Sequence, residues 1–124
     1  MRSSRQSLGA FGEKYARAHL ARTGYRILES NVRLPSGEMD IVAEEGSTLV
    51  FVEVRTRRGR RLGTPEESIT PRKARRLIAL ADAYLQARSL SPAQWRIDVV
   101  AVEVGPDGRV SRLEVLKNAV EGST

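Results

Sequence analysis

Cysteine is absent from the 124 residues, and histidine occurs once, as His19. No disulfide framework, thiolate zinc site or cysteine nucleophile is available, and the lack of cysteine fits a reducing compartment such as the cytoplasm. One histidine cannot build a histidine metal cluster, and a Ser-His-Asp triad would have to use that residue alone. Aromatic residues are only 5% of the chain, which leaves little material for stacking bases of a single strand. No apolar run approaches the 18 residues of a membrane span, so no membrane association is expected. The N-terminal Met1-Arg2-Ser3-Ser4-Arg5 has no apolar stretch behind its charges and is not a secretory signal.

Negative charge is the scarcer sign. Lys and Arg together number 21 against 15 Asp and Glu, a formal net charge of +6. Charged residues are 29% and hydrophobic residues 40% of the chain, the balance of one ordinary globular domain over 1–124, with 1–7 expected as a flexible tail. A basic domain of this kind points to a polyanionic partner, nucleic acid first. The excess is local. Residues 55–76 hold Arg55, Arg57, Arg58, Arg60, Arg61, Arg72, Lys73, Arg75 and Arg76 against only Glu66 and Glu67. Four of these cations begin a predicted helix, where the macrodipole favours anions, an arrangement suited to a bound phosphate. A solvated basic face is the plainer alternative.

The hydrophobic pattern predicts helix, three strands, helix, two strands, an α/β sandwich around a mixed sheet. The first helix spans about 8–23 and stops at Gly24. Leu8, Gly12, Tyr15, Ala16, His19 and Leu20 share its apolar face, His19 as a satisfied buried side chain, with Glu13 at the border. Strands follow at 25–32, 38–44 and 49–57, the last two joined by a four-residue loop, Glu45-Gly46-Ser47-Thr48. Thr70 and Pro71 read as N-cap and first residue of the second helix. Its predicted apolar face is Ala74, Leu77, Ile78, Ala81 and Leu85. Residues 95–104 and 110–116 are the closing strands.

A symmetric hairpin loop at 45–48 pairs residues whose numbers sum to 93, so Asp40 comes opposite Glu53. Cross-strand neighbours lie about 5 Å apart, and like charges there repel. Among Ile41, Val42, Val52 and Val54 the cost rises further. A shared Mg²⁺ or Mn²⁺ would resolve it, because both prefer oxygen ligands. Alternation places Arg55 beside Glu53 and Glu38 beside Asp40, with Glu13 within reach from the helix edge. Acidic oxygens for a metal next to cations for a phosphate describe metal-assisted phosphodiester cleavage. A strand end neutralised by an Arg55–Glu53 salt bridge is the other reading, and the residues alone leave both open.

Gly37-Glu38-Met39-Asp40-Ile41-Val42 followed by Phe51-Val52-Glu53-Val54-Arg55-Thr56-Arg57 resembles the YraN-type family of bacterial proteins. The likeness extends through Gly12-Glu13, Gly24-Tyr25, Asn31, Gly63, Pro65, Lys73, Arg96 to Val100 and Asn118-Ala119, nearly the whole chain. That family is similar to the restriction-endonuclease-like (PD-(D/E)xK) superfamily and its archaeal Holliday-junction resolvases. The resemblance implies a three-layer sandwich with a central mixed sheet, and a nuclease site in which Asp40 and Glu53 bind the metal. Glu13 completes the ligand set. It further implies a duplex or branched DNA substrate and a homodimer, as a junction presents two symmetric strands. Arg57, Arg58, Arg60, Arg61, Arg72, Lys73 and Arg76 are the expected backbone contacts. Arg55 stands where the motif has lysine. Arginine keeps the charge but is never deprotonated. It can stabilise a phosphorane electrostatically, or its presence can mark a catalytically weak or inactive nucleic-acid-binding module. A protein-interaction domain with an acidic partner is a third reading of the basic segment.

Overall fold

The structure is a computed structural model that describes residues 4–120, with side chains from Leu8 onward. Helix α1 (Ser4–Arg22) leads into a hairpin of β1 (Tyr25–Leu34) and β2 (Gly37–Glu45), then β3 (Thr48–Arg58). A short 3₁₀ turn at Glu66–Ser68 precedes α2 (Pro71–Ala87), and β4 (Trp95–Val104) and β5 (Val110–Leu116) close the chain. Of the tail expected over 1–7, residues 1–3 lie outside the described residues, and the rest is helical.

The five strands form one sheet in sequence order, with β3 and β4 parallel and every other pair antiparallel. The parallel step needs a crossover, which α2 supplies. β3 and β4 are buried on both faces and accordingly read as near-continuous valine-rich runs. Ala16 and Leu20 of α1 pack on one face against Ile41, Val50, Val52 and Val100. Leu77, Leu80, Ala81 and Tyr84 of α2 pack on the other against Val42, Phe51 and Ile97. The result is the expected three-layer α/β sandwich. Phe51 centres the α2 layer, edge-on to Tyr84 at 5.5 Å and to Trp95 at 5.7 Å.

Both helices bury a face somewhat different from the predicted one. Among the described side chains of α1, only Gly12, Ala16 and Leu20 are buried. Tyr15 is exposed beside Phe11, and His19 is half-buried. Small residues let the helix lie close to β3, so its contact stripe is narrow. On α2 the face turns to include Leu80 and Tyr84, while Ala74, Ile78 and Leu85 pack at its margin. Tyr84 enters the core because its hydroxyl reaches Glu29 Oε2 at 2.5 Å, which satisfies the polar tip. The predicted cap holds: Thr70 Oγ1 accepts from the Lys73 N–H at 3.2 Å.

A charge network pins the loop after β3. Buried Glu103 accepts from Arg60 Nε at 2.9 Å and Arg112 Nη1 at 2.6 Å. Arg112 also grips both oxygens of Glu66, at 3.0 and 2.7 Å, and so ties the 3₁₀ turn to β5. This bidentate bond pulls the Glu66 carboxyl down to about 2. A carboxyl depressed in the fold adds stability above its unfolded value, which is lost as pH falls toward about 2. Glu66→Gln should therefore cost about 1 kcal/mol at pH 7. The gap to the native chain should close between pH 4.5 and about 2 in urea titrations. A gap independent of pH would contradict the assignment.

Candidate functional site

The β2–β3 hairpin keeps the predicted register from Glu45↔Thr48 to Ile41↔Val52. Glu45 and Thr48 are themselves paired, so the loop shortens symmetrically to Gly46-Ser47 and the pairing is unaffected. The paired ladder stops one step before Asp40 and Glu53. Instead the Val54 N–H donates to Asp40 Oδ2 at 2.8 Å. The aspartate side chain thus stands where a strand carbonyl would continue the sheet, and it holds β2 and β3 together as they part.

Asp40 and Glu53 still share one cavity of about 240 Å³, walled by Glu38 from β2 and by Lys73, Arg76, Leu77 and Leu80 from α2. Burial pushes the Asp40 carboxyl up to about 8, with the Glu53 charge adding to it and the Val54 hydrogen bond opposing. On the other side of Asp40, α1 delivers Glu13. Carboxylate oxygens of Glu13, Glu38 and Asp40 lie within 4.8 Å of one another. Burial likewise raises Glu13, against the pull of the Asn31 amide, which donates to both its oxygens at 2.9 and 3.1 Å. Asn31 reaches Glu38 at 3.4 Å as well. It occupies left-handed backbone at φ 53°, which asparagine tolerates better than most residues.

Gly12 sets the depth at which Glu13 enters. A Cβ at Gly12 would stand 1.8 Å from Thr56 Oγ1, so only glycine lets α1 rest on β3 here. Arg55 is held in two places: its Nε donates to Ser68 Oγ at 2.8 Å and its Nη1 meets Glu53 Oε2 at 3.4 Å. Ser68 in turn donates to the Pro65 carbonyl at 2.6 Å.

The arginines divide. Arg55, Arg57, Arg58 and Arg61 line a groove that meets the acidic site along Gly9 and Val54. Arg57 bonds the Leu62 carbonyl and steadies the loop. Arg76 lies against the β1–β2 turn, 3.4 Å from the Ser36 carbonyl, and shares the carboxylate cavity with Lys73. Arg60 turns instead to Glu103, and Arg72 stands exposed outside these cavities. Sequence reasoning missed the bridging role of Asn31 and the anchor at Ser68. An asparagine interrupting a strand pattern was the available signal for the first. Ser68 left none.

Fold and site define a small three-layer α/β domain with an acidic cavity where its central hairpin parts, flanked by cations. Residues 12–102 match the family described as "Uncharacterised protein family UPF0102". The chain belongs to this UPF0102, YraN-type family. It is 52% identical over 112 residues to a UPF0102 protein of Symbiobacterium thermophilum, covering 90% of this chain and 94% of that one. It is 50% identical over 119 residues to one of Moorella thermoacetica, covering 96% and 99%. A Roseiflexus castenholzii relative is 51% identical over 122 residues, 98% of each chain.

Gly12→Ala should force α1 off β3, lowering stability by about 1–3 kcal/mol in chemical denaturation. Adding Thr56→Ala, which removes the hydroxyl from the contact, should restore part of the loss. An unchanged denaturation midpoint in Gly12→Ala would contradict the packing.

Proposed function

We propose that this protein is a metal-dependent, nuclease-like enzyme that hydrolyses phosphodiester bonds in structured or branched DNA. The observation that carries the reading is the set of carboxylates gathered about Asp40, with Glu13 and Glu38 within 4.8 Å of it and Glu53 sharing its cavity, between two cationic walls. The donors are all carboxylate oxygens, which suits Mg²⁺ or Mn²⁺. Burial, with neighbouring carboxylate charge adding to it, pushes Asp40 and Glu13 upward, a cost that a bound cation would offset. Asp40, Glu53 and Glu13 would hold the ion, and Glu38 is placed to join them.

A bound Mg²⁺ or Mn²⁺ supplies Lewis acidity toward the phosphate and toward water. In the reaction, the oxygen of water adds to phosphorus and one P–O ester bond breaks, leaving a phosphate monoester and a free hydroxyl. The chain contributes position and charge. Arg55, fixed by Ser68, places a permanent positive charge beside Glu53, and Arg57, Arg58 and Arg61 provide donors for the flanking backbone. Among the described residues no aromatic side chain lines these cavities. Backbone and shape recognition of a duplex or junction therefore fits better than base stacking.

One observation favours a second reading, a binding module that does not cut. The Arg55 guanidinium is already bonded to Ser68 and Glu53, and it cannot give up a proton. Labelled duplex, flap and four-way-junction DNA, incubated with Mg²⁺ or Mn²⁺, separates the two. Cleavage above an Asp40→Asn plus Glu53→Gln control is expected. Its absence, with DNA affinity falling steeply as salt rises, overturns the enzyme in favour of the module. Affinity absent or flat with salt points instead to an acidic protein partner.

A further inference from the structure

Lys73 is the one lysine in the basic segment and the only lysine lining the carboxylate cavity. It is half-buried, and among the described residues its ammonium has no ion-pair or hydrogen-bond partner. The other cation of this cavity, Arg76, is bonded to the Ser36 carbonyl, and in the adjoining groove Arg55 is bonded to Ser68 and Glu53 and Arg57 to the Leu62 carbonyl, while Arg58 and Arg61 line that groove and not this cavity. A half-buried cation that lines one cavity with Glu38, Asp40 and Glu53 without pairing to any of them is a group kept available.

Its backbone is fixed. Lys73 is the third residue of α2, its N–H is taken by Thr70 Oγ1, and Pro71 holds the first turn. Leu77 and Leu80, which anchor the helix to the sheet, also line the cavity, so the helix cannot drift from the carboxylates without losing core. Charge alone would not put lysine there, because a cation in the first turn opposes the helix dipole. An anion drawn into the cavity would reverse that penalty.

We propose that Lys73 contacts the reacting phosphate at Asp40 and Glu53, rather than serving as one more grip on the DNA backbone. This rests on the nuclease-like reading. The ammonium donates hydrogen bonds to a non-bridging phosphate oxygen and balances its charge, and no proton leaves it. Before DNA arrives, the same ammonium sits in the field of the carboxylates and competes electrostatically with a divalent ion.

The test has an arm independent of cleavage. Calorimetry of Mn²⁺ binding to the DNA-free full chain should show at least threefold tighter binding in Lys73→Met than in the native protein. The control is Arg75→Met, an exposed cation on the same helix, which should shift affinity less than twofold. Equal shifts in the two variants overturn the proposal whether or not the protein cuts DNA. Where the native chain cleaves, Lys73→Met should lower kcat at least tenfold with KM for junction DNA within about twofold, and Lys73→Arg should recover part of it. A change confined to KM also overturns it, as it is the mark of a backbone contact. A native chain that cleaves nothing, with tighter Mn²⁺ binding in Lys73→Met, removes the enzyme reading and sustains the placement of Lys73 at the carboxylates.

Discussion

The hydrogen bond from the Val54 N–H to Asp40 Oδ2 is the contact on which the site depends. It ends the β2–β3 ladder with a side chain instead of a carbonyl. A carboxylate is thereby fixed at the point where the strands separate, next to Glu53 and within reach of α1 and α2. The backbone donor stabilises the ionised form, but burial and the Glu53 charge oppose it more strongly. The sheet therefore holds an acid whose charged state is disfavoured by its surroundings and would be favoured by nearby positive charge.

Each neighbouring layer supplies one part of that environment. The close approach at Gly12 brings Glu13 down from α1, and Asn31 bridges Glu13 to Glu38. The α2 layer brings Lys73 and Arg76 to the other wall. The Arg112–Glu66 clamp fixes the 3₁₀ turn, the turn presents Ser68, and Ser68 orients Arg55. A clamp on β5 thus reaches Glu53 through three named contacts. The cations in this chain differ in use. Those bonded within the fold set geometry, while Lys73, in the carboxylate cavity, has no ion-pair or hydrogen-bond partner for its ammonium among the described residues.

Much of the fold was legible because local chemistry and global pattern agreed. The Thr70-Pro71 start of α2 and the closing strands at 95–104 and 110–116 appear where expected. The hairpin sum rule survived a shortened loop because symmetric shortening preserves register. It brought Asp40 and Glu53 together correctly and failed to show that the ladder stops before them, since that depends on a side chain accepting a backbone N–H. Tyr84 and Tyr15 show the limit of apolar patterning. Tyr84 is buried because Glu29 satisfies its hydroxyl, and Tyr15 is exposed because the Gly12–Ala16 stripe already seats α1. Counting charge located the basic segment but could not sort it, as Arg60 turns away to a glutamate 43 residues on.

The most direct test of the acidic cavity as a cation site is Mn²⁺ soaked into crystals of the protein and located by its anomalous scattering. An ordered ion bound by Asp40, together with Glu53 or Glu13, is expected, and its loss in Asp40→Asn. Crystals that take up no Mn²⁺ there, with Arg55 still closing on Glu53, would show a salt-bridged strand end and contradict that expectation.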